Sequence, residues 1–286
     1  MECRLDGITV FYEIVGEGTP IVMLPPTGLD HTSMVVDMER HFAQRDGWRR
    51  IYLDWPGTGH TTGGESVATS DDMLEVVERF TDAVLGQEPF AIAGDSYGGY
   101  IARGLIYRRA SQVVGALFNA PGIGSEPQDG DLPVRVVLAE DQGVLAQLRT
   151  LKEGGWIEAA AVVHTPALLD YARSLESTPD IDEALWERVG RAHALSFDAD
   201  ALPQPFKAPA LFILGRQDHW VGYRRAWHLL ENYPRATFAV LDRAGHLASL
   251  EQPALYCALV SEWLDRVQEW MQTTSSRRVE TSDRQA

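Results

Sequence analysis

The segment from Gly94 to Gly98 reads Gly-Asp-Ser-Tyr-Gly, with Ser96 at its centre. This G-x-S-x-G pattern follows a strand-like apolar run at residues 90–93 and precedes a helix-like segment. That context is typical of a sharp turn that lifts a nucleophilic serine above a sheet. The backbone N–H of Tyr97, at the start of the helix, can stabilise negative charge on a substrate oxygen. We therefore predict Ser96 as a nucleophile and Tyr97 as an oxyanion donor; the competing interpretation is a glycine-rich turn with an inert serine.

A serine hydroxyl is a weak nucleophile unless a base takes its proton, and a histidine oriented by a carboxylate is a common base. Strand-like runs at residues 210–214 and 237–241 are followed by Asp218 and His246, respectively. Sites in open α/β sheets lie at the carboxyl ends of the strands. The order serine, aspartate, histidine therefore predicts His246 as general base and Asp218 as its orienting carboxylate. Asp242 is the alternative candidate for the orienting carboxylate, but its position fits a residue of the turn after the strand better.

The elements that must position these residues alternate along the first part of the chain. Helix-like apolar spacing occurs at residues 32–43 and 71–85. Alternation of this kind predicts parallel strands joined by helical crossovers, with apolar strands because both sheet faces are covered. The predicted fold class is α/β, with a mostly parallel doubly wound sheet and helices on both faces. The strand-like runs of this part are residues 8–14, 21–24, 50–54, 90–93 and 113–118.

The pattern changes at residues 121–206, where no convincing strand occurs and both edges are rich in Gly, Pro and Asp. These features predict a helical insertion that forms a cap, or lid, before the strand-like run at residues 210–214. Residues 1–120 and 207–271 then form the core, and residues 272–286 a flexible C-terminal tail. The candidate helices of the insertion are residues 140–151, 156–163, 167–175 and 181–195.

The composition excludes several classes of function. The chain has 286 residues and a formal net charge of −16, which excludes nucleic-acid binding through a basic face and argues against docking on anionic membranes. No apolar run approaches the ~18 residues that a membrane span requires. The two cysteines, Cys3 and Cys257, cannot build a disulfide framework, so a cytoplasmic location is predicted.

The sequence also lacks the spacing of common metal and cofactor sites. We find no H-x-x-x-H, H-E-x-x-H or C-x-x-C pattern, which predicts no metal site. No G-x-G-x-x-G follows a strand and no Walker-type Gly-Lys occurs, which predicts no nucleotide cofactor. The predicted partner is a small-molecule substrate, with no nucleic acid and no membrane, and the sequence leaves the oligomeric state open.

Together these motifs resemble those of the α/β-hydrolase fold superfamily, of the capped serine-hydrolase kind, in which a helical cap is inserted between strands 6 and 7 of the superfamily's sheet. The resemblance covers about residues 8–271 and implies that Ser96 is the nucleophile, His246 the general base and then acid, and Asp218 the orienting carboxylate. Residues 54–60, Asp-Trp-Pro-Gly-Thr-Gly-His, are similar to the D-x-P-G-x-G loop of that superfamily. The other motifs that carry the resemblance are residues 94–98, 215–218 and 245–246.

One loop departs from the superfamily pattern. Relatives usually carry His-Gly-x-Pro after the third strand, and the residue at x donates the second oxyanion N–H. This chain has Leu24-Pro25-Pro26-Thr27-Gly28 at that place. Pro25 and Pro26 have no N–H. By position, the resemblance implies Thr27 as the second oxyanion donor.

The nucleophile narrows the possible reactions. Dehalogenases and epoxide hydrolases of this fold use an aspartate at the turn, so Ser96 argues against both. Ser-His-Asp chemistry suits hydrolysis of esters, thioesters, lactones or amides, and we predict a small neutral ester or lactone. Carbon–carbon hydrolases of the meta-cleavage type share triad and cap, but commonly have tryptophan where this chain has Leu247. Proline iminopeptidases, the amidase alternative, usually have tryptophan in place of Tyr97. A ligand-binding receptor or scaffold is the alternative without catalysis.

Further residues could contact a substrate, although each also fits simple packing. They are His31, Trp156, Trp186 and Trp220. The charge of the insertion bears on the same question, because residues 121–206 hold 15 acidic and 6 basic residues. A negative lid repels anions at low ionic strength, which predicts neutral or cationic substrates.

Overall fold

The computed structural model describes residues 1–123 and 130–283. Within these ranges, nine strands form one sheet in the order β1-β2-β4-β3-β6-β7-β8-β9, with β5 paired to β2. The pairs from β4 across to β9 are parallel, whereas those of β2 with β1, β4 and β5 are antiparallel. The predicted α/β class with a mostly parallel sheet is confirmed. The strands are β1 (Glu2–Leu5), β2 (Ile8–Val15), β3 (Thr19–Leu24), β4 (Trp48–Leu53), β5 (Thr62–Gly63), β6 (Phe90–Asp95), β7 (Val113–Asn119), β8 (Ala210–Gly215) and β9 (Ala236–Leu241).

The helices begin where polar side chains satisfy free backbone N–H groups. Asp30 caps the first helix, and Thr69 and Asp72 form a reciprocal capping box at the start of the second. The described helices are α1 (His31–Phe42), α2 (Ser70–Leu85), α3 (Tyr97–Arg109), α4 (Gln142–Leu148), α5 (Gly154–Ala160), α6 (Pro166–Ser174), α7 (Glu183–Arg191), α8 (Arg224–Trp227), α9 (Ala248–Glu251) and α10 (Pro253–Asp283).

Both faces of the sheet are covered by helices, as the continuous apolar strands predict. Ile21 and Met23 of β3 pack in one buried cluster with residues of α1, α9 and α10. Val22 and Leu24 point the other way and join a cluster with residues of α2 and α3. Successive strand residues face opposite sides of a sheet. The carboxyl ends of the central strands are therefore left as the open edge for a site.

The helices α4 to α7 lie between β7 and β8 in the sequence, in the segment predicted as an insertion. Helices α4, α5 and α6 contribute to an apolar cluster in which Leu168 and Ala172 are fully buried, whereas the buried residues of α7 belong to the cluster that contains α2 and α3. Leu247 and Leu250, from the chain that follows β9, complete the cluster of α4, α5 and α6. The role of this segment as a cap remains a prediction, and its residues 124–129 lie outside the described residues.

Several elements differ from the sequence prediction, among them the short helices α8 and α9, which were not predicted. The short strands β1 and β5 were not predicted, because both lie beside β2 at the antiparallel side of the sheet and lack long apolar runs. The core was predicted to end at residue 271, but the backbone of the last helix stays helical to Asp283. No proline or glycine follows Pro253 to stop it. The flexibility of residues 272–286 remains a prediction.

In the described ranges, no helix is both long and apolar enough to cross a membrane. The longest, α10, carries charged side chains such as Glu262, Asp265 and Arg266 along its length.

A buried ion pair joins α3 to both ends of the insertion. Arg103 of α3 is fully buried, and its Nε donates to Asp200 Oδ1 at 2.6 Å while its Nη2 donates to Asp200 Oδ2 at 3.3 Å. Its Nη1 donates to the carbonyl oxygen of Gly122 at 2.9 Å. Gly122 precedes the helices of the insertion and Asp200 follows them, so one guanidinium ties both chain crossings to the core.

We expect Arg103→Ala to lower the free energy of unfolding by about 3–5 kcal/mol, because it leaves Asp200 and the Gly122 carbonyl without their charged donor. Arg191→Ala is the matched control, since Arg191 forms an exposed pair with Glu187 one helical turn away and such pairs contribute about 0.3–0.5 kcal/mol. Urea denaturation followed by fluorescence measures both. Equal losses for the two variants would contradict the assigned role of Arg103.

Candidate active site

Ser96 lies at the turn between β6 and α3, with a backbone φ of +48° and ψ of −110°. A positive φ is rare for a residue with a side chain and costs of order 1–3 kcal/mol. The turn is possible because of its flanking glycines. A Cβ at Gly94 would lie 2.4 Å from the backbone of Gly98, and a Cβ at Gly98 would lie 2.1 Å from the carbonyl oxygen of Leu24. The predicted strand-turn-helix context of Ser96 is therefore present.

His246 and Asp218 lie together at the carboxyl ends of β9 and β8. His246 Nδ1 is 2.8 Å from Asp218 Oδ2, and Asp218 is fully buried. Asp218 Oδ1 accepts hydrogen bonds from the backbone N–H groups of Trp220, at 2.9 Å, and Val221, at 3.2 Å. The carboxylate is thus held from both sides, and within the described residues His246 Nε2 has no hydrogen-bond partner.

Electrostatics couple these two groups. Burial raises the pKa of the Asp218 carboxyl, but the His246 charge, its hydrogen bond and the two backbone donors outweigh burial and hold the pKa below its ordinary value. Burial lowers the pKa of His246, but the Asp218 charge and hydrogen bond outweigh it and raise the pKa above its ordinary value. Asp242 is exposed, so the alternative candidate for the orienting carboxylate lies in solvent at the end of β9.

Ser96 and His246 open into one cavity of about 290 Å³, which we call the Ser96 cavity. Trp156 and Trp220, both predicted to contact a substrate, form part of its wall, and their ring centroids are 6.4 Å apart. The ring of Trp220 also lies 5.0 Å from that of His246. The remaining lining residues are Pro26, Thr27, Leu29, Asp95, Tyr171 and Leu247.

The two predicted oxyanion donors come from neighbouring segments. Leu24, the last residue of β3, pairs with Gly94 of β6, so the loop that follows β3 starts beside the Ser96 turn. The indole of Trp55 donates to the carbonyl oxygen of Pro25 at 2.9 Å, which fixes that loop. Thr27 lines the Ser96 cavity, and Tyr97 begins α3. The phenol of Tyr97 bonds with Ser70 at 2.9 Å, and Tyr97 is not one of the residues that line the Ser96 cavity, so the role of its backbone N–H as a donor stays a prediction.

The other two predicted substrate contacts lie outside the Ser96 cavity. His31 Nδ1 lies 2.6 Å from Asp54 Oδ1, and the backbone N–H of His31 donates to the same oxygen at 2.8 Å. Asp54 is fully buried, and a buried carboxylate requires such partners. Trp186 packs edge-to-face on Tyr97 and lines a neighbouring groove of about 810 Å³.

One group of described side chains is close enough together to hold a metal ion: Asp30, His31 and Asp54, whose ligand atoms lie within 4.8 Å of one another. Hydrogen bonds already account for this grouping. The backbone N–H of His60 donates to Asp54 Oδ2 at 2.8 Å, and His31 occupies Asp54 Oδ1. These hydrogen bonds connect the start of α1, at His31, to the loop that carries His60 through the carboxylate of Asp54.

Glu251 is a residue that the sequence analysis missed. Its Oε1 accepts the backbone N–H groups of Val162 and Val163 at 2.6 and 3.0 Å, and its Oε2 accepts that of Gly245 at 2.7 Å. Burial raises its pKa to about 7, against the effect of these three donors. The carboxyl group thus joins the loop of His246 to the insertion. No local signal marks this role, because two of its three partners are almost 90 residues away in sequence.

Comparison with known proteins agrees with this fold. Residues 19–253 match the family described as Serine aminopeptidase, S33. Over 131 residues the chain is 29% identical to RutD of Stutzerimonas stutzeri (strain A1501). This alignment covers 41% of the chain and 43% of the relative, which is less than half of the relative's length. It is 21% identical over 295 residues to a proline iminopeptidase of Saccharolobus solfataricus, covering 92% of this chain and 91% of the relative.

Among solved structures, an alpha/beta superfamily hydrolase from Oenococcus oeni PSU-1 superposes with a TM-score of 0.78 and 22% identity. The superposition covers 94% of this chain and 99% of the other. At that identity the likeness shows the fold alone, whereas the family match extends over most of the chain. The chain is therefore an α/β-hydrolase enzyme that belongs to the Serine aminopeptidase, S33 family.

Proposed function

We propose that this enzyme hydrolyses a small, neutral ester or lactone through an acyl-enzyme on Ser96, with His246 as general base and Asp218 as its orienting carboxylate. The observation that carries the proposal is a single arrangement. A serine on a positive-φ turn shares one cavity with a histidine, and that histidine is bonded to a buried carboxylate. These are the parts that acyl transfer by a Ser-His-Asp triad requires.

In this mechanism Ser96 Oγ attacks the carbonyl carbon of the substrate while His246 Nε2 takes the hydroxyl proton. The carbonyl oxygen becomes an oxyanion, stabilised by the N–H groups of Thr27 and Tyr97. Collapse breaks the carbon–oxygen bond to the alcohol, which receives the proton from His246. Water then attacks the acyl-serine, His246 takes a proton from the water, and the acid leaves as that proton returns to Ser96.

The size and charge of the site support a small, uncharged substrate. Apart from the residues that the mechanism uses, most of the wall of the 290 Å³ Ser96 cavity is apolar or aromatic. The neighbouring groove shares Thr27 and Leu29 with the cavity, and five acidic side chains and one lysine lie along it: Asp30, Glu153, Asp180, Asp182, Glu183 and Lys152. The excess of negative charge in this groove repels an anion at low ionic strength. The insertion, which contributes Trp156 and Tyr171 to the cavity wall, acts in this proposal as the cap.

A fluorophosphonate probe tests the nucleophile. We expect the intact enzyme to gain the mass of one phosphonyl group on Ser96, because only an activated serine attacks the probe at a useful rate. Ser96→Ala is expected to remain unlabelled, and Ser111→Ala, outside the cavity, to label normally. Peptide mass spectrometry measures all three. Unlabelled wild-type enzyme, or equal labelling of Ser96→Ala, would mean that Ser96 is not the nucleophile.

A substrate panel then tests the bond that is cleaved. p-Nitrophenyl esters and lactones are expected to turn over faster than aminoacyl anilides and ring-cleavage dienones. Faster turnover of an anilide or a dienone would replace the ester proposal with the amidase or the carbon–carbon hydrolase alternative.

The pH profile follows from the direction of the His246 shift. His246 must be neutral to act as a base, and the Asp218 charge raises its pKa above the ordinary 6.5. The value of kcat/KM is therefore expected to fall as the pH decreases through a pKa above 6.5. Asp218→Asn removes the charge, so we expect the acid limb to move to lower pH and kcat to fall by about 10⁴-fold. An acid limb that stays in place in Asp218→Asn would contradict the coupling.

A matched pair of esters tests the charge preference. At low ionic strength we expect kcat/KM for p-nitrophenyl butyrate to exceed that for the anionic mono-p-nitrophenyl glutarate by about 10-fold or more. The difference is expected to narrow with added NaCl, because the screening length falls from about 30 Å at 0.01 M to about 8 Å at 0.15 M. Preference for the anionic ester at low salt would exclude a neutral substrate class.

A further inference from the structure

Asp95, the last residue of β6, lines the Ser96 cavity directly before the proposed nucleophile. The proposed mechanism gives this carboxyl group no role. Of the side chains around the cavity that the mechanism does not use, Asp95 is the one with an acidic group; its neighbours there include Leu29, Trp156, Trp220 and Leu247. Polar groups in an apolar pocket are few, and they usually fix the orientation and identity of a ligand.

One oxygen of Asp95 is held by the protein. Asn119, at the end of β7, donates from Nδ2 to Asp95 Oδ1 at 2.9 Å. Among the residues that the structure describes, Asp95 Oδ2 has no hydrogen-bond partner. Asn119 is itself buried, and its Oδ1 also lacks a partner in the described part of the chain. The amide thus orients the carboxyl group through one oxygen and leaves the other for the cavity.

The surroundings of Asp95 make it a poor place for a permanent negative charge. Burial raises the pKa of Asp95 to about 7; the charge of His246 opposes this shift, and the charges of Asp37 on α1 and Asp218 add to it. Burial and the charge of Asp95 also raise the pKa of two tyrosine phenols, those of Tyr171 on α6 and Tyr256 on α10. A carboxyl group there can be neutral or ionised near neutral pH.

A hydroxyl group suits both forms of the carboxyl group. An ionised carboxylate accepts a hydrogen bond from the hydroxyl group, and a neutral carboxyl group accepts the same hydrogen bond through its carbonyl oxygen. A purely apolar substrate would instead remove water from Oδ2 without replacing the hydrogen bond, which costs about 1–3 kcal/mol. Sites built to bond a substrate hydroxyl reject analogues that lack it for this reason.

We propose that Asp95 is a specificity-determining residue that binds a hydroxyl group carried by the ester substrate, so that the preferred substrates are hydroxylated esters. The inference rests on the proposed function, because it names the substrate class of the same site. Asn119 acts in it as the positioning residue that aims the carboxyl group.

The test compares esters that differ by one hydroxyl group. In the acyl arm, p-nitrophenyl 3-hydroxybutyrate is compared with p-nitrophenyl butyrate; in the alcohol arm, 2-hydroxyethyl butyrate is compared with propyl butyrate. We expect the wild-type enzyme to favour the hydroxylated ester in kcat/KM by about 10-fold or more in one arm. Asp95→Ala is expected to reduce that ratio to near one, and Asp95→Asn, whose amide N–H can donate to the oxygen of the substrate hydroxyl, to retain part of it.

Asp242→Asn is the matched control, because this exposed aspartate lies outside the cavity, and its ratio is expected to equal that of the wild type. The inference is overturned if the wild type shows no preference in either arm or if Asp95→Ala keeps the preference. It is also overturned if Asp95→Asn lowers kcat/KM equally for both esters of a pair. The last result would mean that Asp95 only braces the turn. Labelling of Ser96 by the fluorophosphonate probe is measured on every variant, so that failure of the proposed nucleophile is distinguished from failure of the hydroxyl preference.

Discussion

At the Ser96 turn, two backbone segments approach each other more closely than any side chain between them would allow. A Cβ at Gly98 would lie 2.1 Å from the Leu24 carbonyl oxygen, so the first turn of α3 rests directly on the end of β3. This contact fixes the positive φ of Ser96 and also brings the loop of Thr27 beside the start of α3. The proposed nucleophile and both proposed oxyanion donors thus depend on one close approach of main chains.

The histidine side of the site depends on buried charge instead. Asp218 is fully buried, yet three donors stabilise its negative charge and its pKa stays low. Interactions between charges are stronger in such surroundings than in water. The buried carboxylate of Glu251 likewise accepts hydrogen bonds from three backbone N–H groups. The backbone N–H of His246 donates to the carbonyl oxygen of Ala160 at 3.0 Å. The position of His246 is therefore coupled to the insertion.

The insertion shapes the cavity through the same connections. Trp156 lies on α5, which ends at Ala160, where the loop of His246 is bonded. Tyr171 packs edge-to-face on Trp156, at 6.3 Å between ring centroids. A change in the loop of His246 would therefore be transmitted to the aromatic wall. Outside the proposed triad and oxyanion donors, the polar features of the site include the predominantly acidic groove beside this wall and the carboxyl group of Asp95 in the Ser96 cavity.

The sequence by itself determined the α/β class, most central strands and the order of Ser96, Asp218 and His246, each after its own strand. These features are local, because apolar runs mark strands and a glycine pair marks a turn that no larger residue permits. Only the tertiary structure decided that Trp156 and Trp220 face the Ser96 cavity while His31 turns to the buried Asp54. It also decided the partners of Glu251 and Asp95. The reason is physical: burial and hydrogen bonding depend on which distant segments meet, and spacing along one chain does not specify that.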